Sequence, residues 1–326
     1  MSTVEIDGAV DPLTRPRPIR VLALSGGGYR GLFTAEVLVR IEAALEGRLV
    51  RDVFDLTAGT SAGALIAAGV ACGVPAVRIR DAFLKHGERI FPRSTLTRAK
   101  QLIHRAPYSA APLEDAINAV LGDLAGQAIT GLQADLAVTT VSQVHAEARI
   151  YAAGRFAKAS SGEISLRDAI LASAAAPTYF PPCRPEAETL VDGGLVANAP
   201  ALVGLGLVRK VLGTPLDMVE VLGIGTASPK AGYAAMTPRP YSFLSWMMPT
   251  RNLLLLTLEA QEHLTKVLTR HLLGDRYVSI DAIPSAAHIK VMGAIDATGS
   301  CANKTLAALA QGAWNEQREA VLKQLW

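Results

Sequence analysis

Gly59-Thr60-Ser61-Ala62-Gly63 has the Gly-x-Ser-x-Gly spacing that pushes a serine out at the tip of a tight turn. Val53-Phe54-Asp55-Leu56-Thr57-Ala58 before it reads as a strand, and Ala64 to Val70 after it as an apolar helix. That frame puts the Ser61 hydroxyl at the positive end of a helix dipole, which favours a developing alkoxide. Serine is a weak nucleophile at its ordinary pKa and needs an adjacent base. Asp192-Gly193-Gly194 supplies a carboxylate at the end of a short strand, Glu188-Thr189-Leu190-Val191. A buried carboxylate serves as base once desolvation raises its pKa toward the working pH. On its own, Asp192 before two glycines also fits a plain turn aspartate.

A third stretch, Ser25-Gly26-Gly27-Gly28-Tyr29-Arg30-Gly31, follows the apolar strand Ile19 to Leu24 and precedes a helix, Leu32 to Leu45. Bare backbone N–H groups at a helix start hold negative charge. The stretch therefore fits either a phosphate cradle or an oxyanion hole. Gly26, Gly28 and Gly31 match Gly-x-Gly-x-x-Gly with Gly27 as x, but no Gly-Lys-Ser/Thr follows to make a P-loop.

The elements that must position these residues alternate between strand and helix. Further strands are expected at Asp135 to Val141, Ala148 to Ala152, Met218 to Gly223 and Tyr277 to Ile280. Helices are expected at Pro75 to Ile90, Leu113 to Leu124, Leu166 to Ala175, Leu253 to Leu273 and Thr305 to Leu325, with one more running through Leu212. This pattern predicts an α/β fold with a mostly parallel central sheet. Half of the 326 residues are hydrophobic, enough for a large core. Met1 to Pro18 reads as a flexible N-terminal tail without the apolar run of a signal peptide, and 19–326 as one domain. Leu56 to Val77 carries no charge, yet its glycines, Thr57, Thr60 and Ser61 favour a strand end, a turn and a short buried helix over a membrane span.

The net charge of +3 is too small to argue for a nucleic-acid polymer as partner. Cys72, Cys183 and Cys301 are widely spaced, pointing to a reducing compartment and no disulfide framework. No Cys or His spacing suggests a metal, and no cofactor is expected. Arg78 to Arg105 holds eight basic residues against Asp81 and Glu88, a solvated face or a contact for anionic phosphates. Residues 227–252 are irregular and proline-rich, with Phe243, Leu244, Trp246, Met247 and Met248 in one cluster. They read as a lid or membrane-contact segment, or as packing under the helix that follows.

The glycine turn, the Gly-x-Ser-x-Gly motif, Ala174-Ala175-Ala176-Pro177-Thr178-Tyr179-Phe180-Pro181 and Asp192-Gly193-Gly194 stand in an order that resembles the patatin-like phospholipase family over roughly residues 19 to 226. The resemblance implies a three-layer α/β/α fold and an acyl hydrolase with a Ser/Asp dyad and no catalytic histidine. Ser61 matches the nucleophile and Asp192 the carboxylate that takes its proton. Gly26, Gly27, Gly28 and Arg30 match the oxyanion hole, where each donor typically contributes ~3–4 kcal/mol. Ser25 departs from the Asp that many relatives carry there; it precedes the hole, so activity is expected to survive.

A narrower resemblance is to short bacterial effectors of antiphage defence that a cyclic dinucleotide switches on. It implies a cyclic dinucleotide activator, a phospholipid membrane surface as partner and a cytoplasmic protein that associates peripherally with the inner membrane when active. It identifies no residue of the nucleotide site and leaves a homo-oligomer open. Two rivals remain. An α/β-hydrolase triad would follow the order Ser61, Asp192 and then His263, His271 or His288. A non-catalytic nucleotide sensor would use the Gly26–Gly28 turn alone.

Overall fold

The computed structural model describes residues 17–92, 106–185, 188–229 and 253–326. Seven strands form one sheet: β1 (Ile19–Leu24), β2 (Leu56–Thr60), β3 (Leu136–Ser142), β4 (Glu147–Ala152), β5 (Leu190–Asp192), β6 (Val219–Ile224) and β7 (Tyr277–Ile280). Their order is β4-β3-β2-β1-β6-β7, with β5 paired to β3. The stretch from β3 through β2, β1 and β6 to β7 is parallel, whereas β4 and β5 run antiparallel to β3.

Both faces of the sheet are buried, so successive residues of β2 and of β1 from Val21 onward are all buried. Side chains nevertheless alternate: Leu22 and Leu24 enter one core, Val21 and Ala23 the other. The first core is built with α1 (Gly31–Ala44), α2 (Ala62–Ala71), α3 (Ala76–Ile90), α4 (Ala111–Leu121), α5 (Leu166–Ser173) and α10 (Ser300–Leu325). The second lies under α7 (Ala201–Leu207) and its continuation to Leu212. The short α6 (Gly194–Ala197), α8 (Leu253–Leu273) and α9 (Ala286–Met292) complete the described elements. The layers are helix, sheet and helix, as expected.

Several boundaries differ from the periodicity reading. The second strand begins at Leu56; Val50–Val53 forms a turn of 3₁₀-helix instead, because Asp52 accepts the Leu49 N–H and closes it. The last helix begins at Ser300, five residues early, and α9 has no counterpart among the expected elements. The helix expected through Leu212 keeps α geometry only to Leu207, and Val208–Leu212 is a π-turn. Arg17, within the expected tail, is held instead by a bidentate pair to Asp55 at 2.7 and 2.8 Å. The uncharged Leu56–Val77 stretch is a strand, a turn and the ten-residue α2. Among the described residues, no helix is long and apolar enough to cross a membrane. The apolar cluster at 243–248 lies outside the described residues, as does the second half of the basic stretch, 93–105. In its first half, Arg80 pairs with Asp81 and Arg89 with Asp115.

The sheet topology explains how distant residues meet. The β4 edge of β3 is filled from Ala137 to Ser142, so β5 must take the other edge, which it shares with β2. There β2 pairs as far as Thr60 opposite Thr139, and β5 pairs from Asp192 opposite Thr140. The two strands lie end to end along one edge of β3, and Ser61 and Asp192 occupy the junction.

Candidate active site

Ser61 sits at φ 55° and ψ −126°, left-handed backbone that a non-glycine residue adopts only under constraint. The constraint comes from both flanks. A Cβ on Gly59 would strike the Gly63 carbonyl oxygen, and one on Gly63 would strike that of Leu24, so only glycine lets β2, α2 and β1 approach this closely. The Ser61 N–H donates to Ser173 Oγ at 2.8 Å, and the Ser173 hydroxyl donates to the Thr139 carbonyl at 2.7 Å. Thr60 Oγ1 donates to the Ala197 carbonyl at 2.6 Å.

The Ser61 hydroxyl donates to Asp192 Oδ2 at 2.8 Å. The other carboxylate oxygen, Oδ1, accepts the Gly194 N–H at 2.7 Å. The Asp192 N–H donates to the Ala175 carbonyl at 3.1 Å, which gives the small-residue run before Pro177 its place in the site. Asp192 is 6% exposed. Burial raises its pKa to about 6, against the Gly194 N–H and the Ser61 hydroxyl, which both favour the carboxylate.

The glycine turn faces this pair across the cleft. The Gly26 N–H already donates to the Asn198 carbonyl at 2.9 Å, so Gly26 sets the path of the turn and offers no free donor. The Tyr29 N–H goes to the Ile295 carbonyl and the Arg30 N–H to that of Gly27. Among the described residues, no acceptor meets the N–H groups of Gly27, Gly28 and Ala62. Gly28 adopts φ 58°, and a Cβ there would collide with the Ile295 carbonyl oxygen. Arg30 is buried and lines the cleft: Nη1 donates to the Gly293 carbonyl at 2.9 Å and Nη2 to Ser228 Oγ at 3.1 Å. Burial lowers its pKa, and the charges of Glu259, Glu262 and Asp281 oppose that shift. Ser25 is buried and its N–H donates to the Ile224 carbonyl.

Ser61, Asp192 and the three glycines line one cleft. Leu65, Phe83, Phe91, Leu113, Ile170 and Phe180 give it an apolar wall. No histidine among the described residues lines it. His263 and His271 are exposed on α8, and His288 Nδ1 accepts the Ser285 N–H at the start of α9. Sequence reasoning missed Ser173 and Asn198. A serine inside the run Ala172 to Ala176 was the one available signal for the first, and Asn198, shortly after Asp192, had none beyond its place.

The sequence model of the patatin-like phospholipase family matches residues 22–205, more than half of the chain. This chain belongs to the patatin-like phospholipase family. The matched stretch contains the glycine turn, Ser61 and Asp192. Among patatin-like relatives, a cGAMP-activated phospholipase of Pseudomonas aeruginosa is 36% identical over 297 residues, covering 88% of this chain and 85% of the relative. A cGAMP-activated phospholipase of Escherichia coli is 31% identical over 306 residues, covering 85% and 84%. Patatin-like protein 2 of Arabidopsis thaliana is 29% identical over 288 residues, covering 75% and 70%. The patatin-like fold and lipid acyl hydrolase class implied by the motifs agree with these similarities.

Proposed function

We propose that this protein hydrolyses fatty acyl esters of membrane phospholipids with Ser61 as nucleophile and Asp192 as its base. The observation that carries the reading is the 2.8 Å Ser61–Asp192 hydrogen bond at the head of a left-handed elbow, inside an apolar-walled cleft. Ser61 Oγ attacks the acyl carbonyl as Asp192 Oδ2 takes its proton. The oxyanion forms against the N–H groups of Gly27, Gly28 and Ala62, donors already oriented before the substrate arrives. Asp192 returns the proton to the leaving alcohol oxygen and the ester bond breaks, leaving an acyl-enzyme. Water then attacks the acyl carbon as Asp192 takes its proton; Asp192 returns that proton to Ser61 Oγ as the acyl–oxygen bond breaks, and fatty acid and free Ser61 result. Both ester cleavage steps use one carboxylate, whose pKa of about 6 leaves it ionised at neutral pH.

A cyclic dinucleotide is the proposed activator, supported by bacterial relatives at 31–36% identity whose names describe activation by cGAMP. The protein then acts in the cytoplasm, at the inner membrane surface, in antiphage defence. The test is fatty-acid release from phosphatidylglycerol/phosphatidylethanolamine vesicles by purified protein, alone and with a panel of cyclic dinucleotides, beside fluorophosphonate labelling. Release and labelling that both vanish in Ser61→Ala support the reading. Unchanged release in Ser61→Ala overturns it, and release indifferent to every cyclic dinucleotide overturns the activation part.

A further inference from the structure

The oxyanion turn is tied to a helix that contributes neither the nucleophile nor the base. Asn198, six residues after Asp192, accepts the Gly26 N–H on its carbonyl at 2.9 Å, and its Nδ2 lies 3.4 Å from the Gly26 carbonyl. Two consecutive residues of α8 hold Asn198 in turn. Gln261 Oε1 accepts its backbone N–H at 2.9 Å, and Glu262 Oε2 accepts Nδ2 at 2.7 Å. Asn198 and Glu262 are 7% and 4% exposed.

A buried carboxylate needs its charge answered. Glu262 Oε1 pairs with Lys266 at 2.6 Å, and Lys266 pairs with Asp281 at 2.6 Å. Burial alone would lower the Lys266 pKa, but Asp281 and Glu262 outweigh it and raise the value. Asp281 Oδ1 also accepts the N–H groups of Ala227 and Ala282, just beyond β6 and β7. Through Lys266 and Asp281, Glu262 is therefore tied to the ends of β6 and β7.

We infer that Glu262 is a positioning residue for acyl transfer: through Asn198 it fixes the Gly26 backbone, and with it the direction of the Gly27 and Gly28 N–H groups. The inference rests on the proposed Ser61/Asp192 reading. Donors aimed where charge develops act in the transition state and little in ground-state binding, so losing the clamp lowers kcat and spares KM.

The experiment measures kcat, KM and melting temperature on the soluble ester p-nitrophenyl butyrate. Glu262→Ala and Asn198→Ala are each expected to lower kcat about 10- to 100-fold with KM moving less than about threefold, short of the ~10²–10³ of a lost donor. The double variant should lose no more than the worse single one, because both break the same chain of bonds. Glu262→Gln keeps an oxygen for Asn198 Nδ2 and should recover to within about threefold of the parent. Parent-like kcat in folded Glu262→Ala, or a loss confined to KM, overturns the clamp.

Should Glu262→Ala not fold, a charge swap decides. Asn198→Asp sets two carboxylates against each other and should impair kcat, and adding Glu262→Gln should restore it by offering a donor. Equal impairment with and without Glu262→Gln overturns the proposal. Ser61→Ala beside them separates the two readings. Turnover lost there, with parent-like kcat in Glu262→Ala, overturns the clamp alone; turnover kept there overturns the enzymatic reading and the clamp with it.

Discussion

The Ser61 hydroxyl lies 2.8 Å from Asp192 Oδ2 across a sequence separation of 131 residues. The strand edge that β2 and β5 share along β3 brings them together: Thr60 stands opposite Thr139 and Asp192 opposite Thr140. The two side chains are thus placed by adjacent residues of one strand, and a shift in β3 would carry both.

Ser61→Ala and Asp192→Ala should each reduce turnover at least about 10³-fold while the protein stays folded. The pair acts as one proton-transfer unit, so the double variant should be no worse than either single one. Steady-state hydrolysis of a short-chain ester, with circular dichroism as the folding control, checks this. Losses that multiply would mean that the two residues act separately.

Asp192 also sets a pH dependence. As base it must be ionised, so kcat/KM should fall as pH drops through about 6. Stability moves the opposite way. The folded pKa of about 6 exceeds the unfolded 3.8, so between these values the native state binds more protons. Its contribution is fully present below the unfolded pKa and is lost as pH rises through about 6. Asp192→Asn removes the buried charge and should be more stable than the parent at pH 8 by roughly 3 kcal/mol, at about 1.4 kcal/mol per pKa unit. The gap should shrink as pH falls through 6 and close below the unfolded pKa of 3.8. Thermal unfolding across that range measures it; a constant gap would place the effect in packing.

Histidine should be dispensable. His263, His271 and His288 lie off the cleft, and each changed to Ala should cost less than about tenfold in kcat. A loss of about 10³-fold at any one would favour a triad.

Two glycines should respond in opposite directions to alanine. Gly63→Ala drives a Cβ into the Leu24 carbonyl oxygen, which β1 cannot move, and should cost about 1–3 kcal/mol along with activity. Gly312 lies exposed in α10 with open space beside it, and Gly312→Ala should stabilise by about 0.5–1 kcal/mol. Melting temperatures of the two variants give the comparison.

The candidate site residues are legible in the amino-acid sequence because each belongs to a local pattern. The glycines around Ser61 and after Asp192 report backbone approach that no other residue tolerates, and the apolar strand and helix beside Ser61 report the elbow. The elements Ile19–Leu24, Ala76–Ile90 and Leu253–Leu273 are equally legible, the strand as a short apolar run and the helices by the period that burial of one face imposes. What local pattern cannot carry is pairing between distant segments. That β5 continues the line of β2 along β3 depends on which edge β4 leaves free. That Gly26 lends its N–H to Asn198, leaving Gly27 and Gly28 to face the cleft, depends on where the chain after Asp192 returns. The raised pKa of Asp192 is burial, and the support of Asn198 by Gln261 and Glu262 is the docking of a helix more than sixty residues away. Residue type and spacing singled out the groups proposed to do the chemistry; tertiary packing decided their distances, their surroundings and what holds them, because those are set by neighbours that the chain supplies from elsewhere.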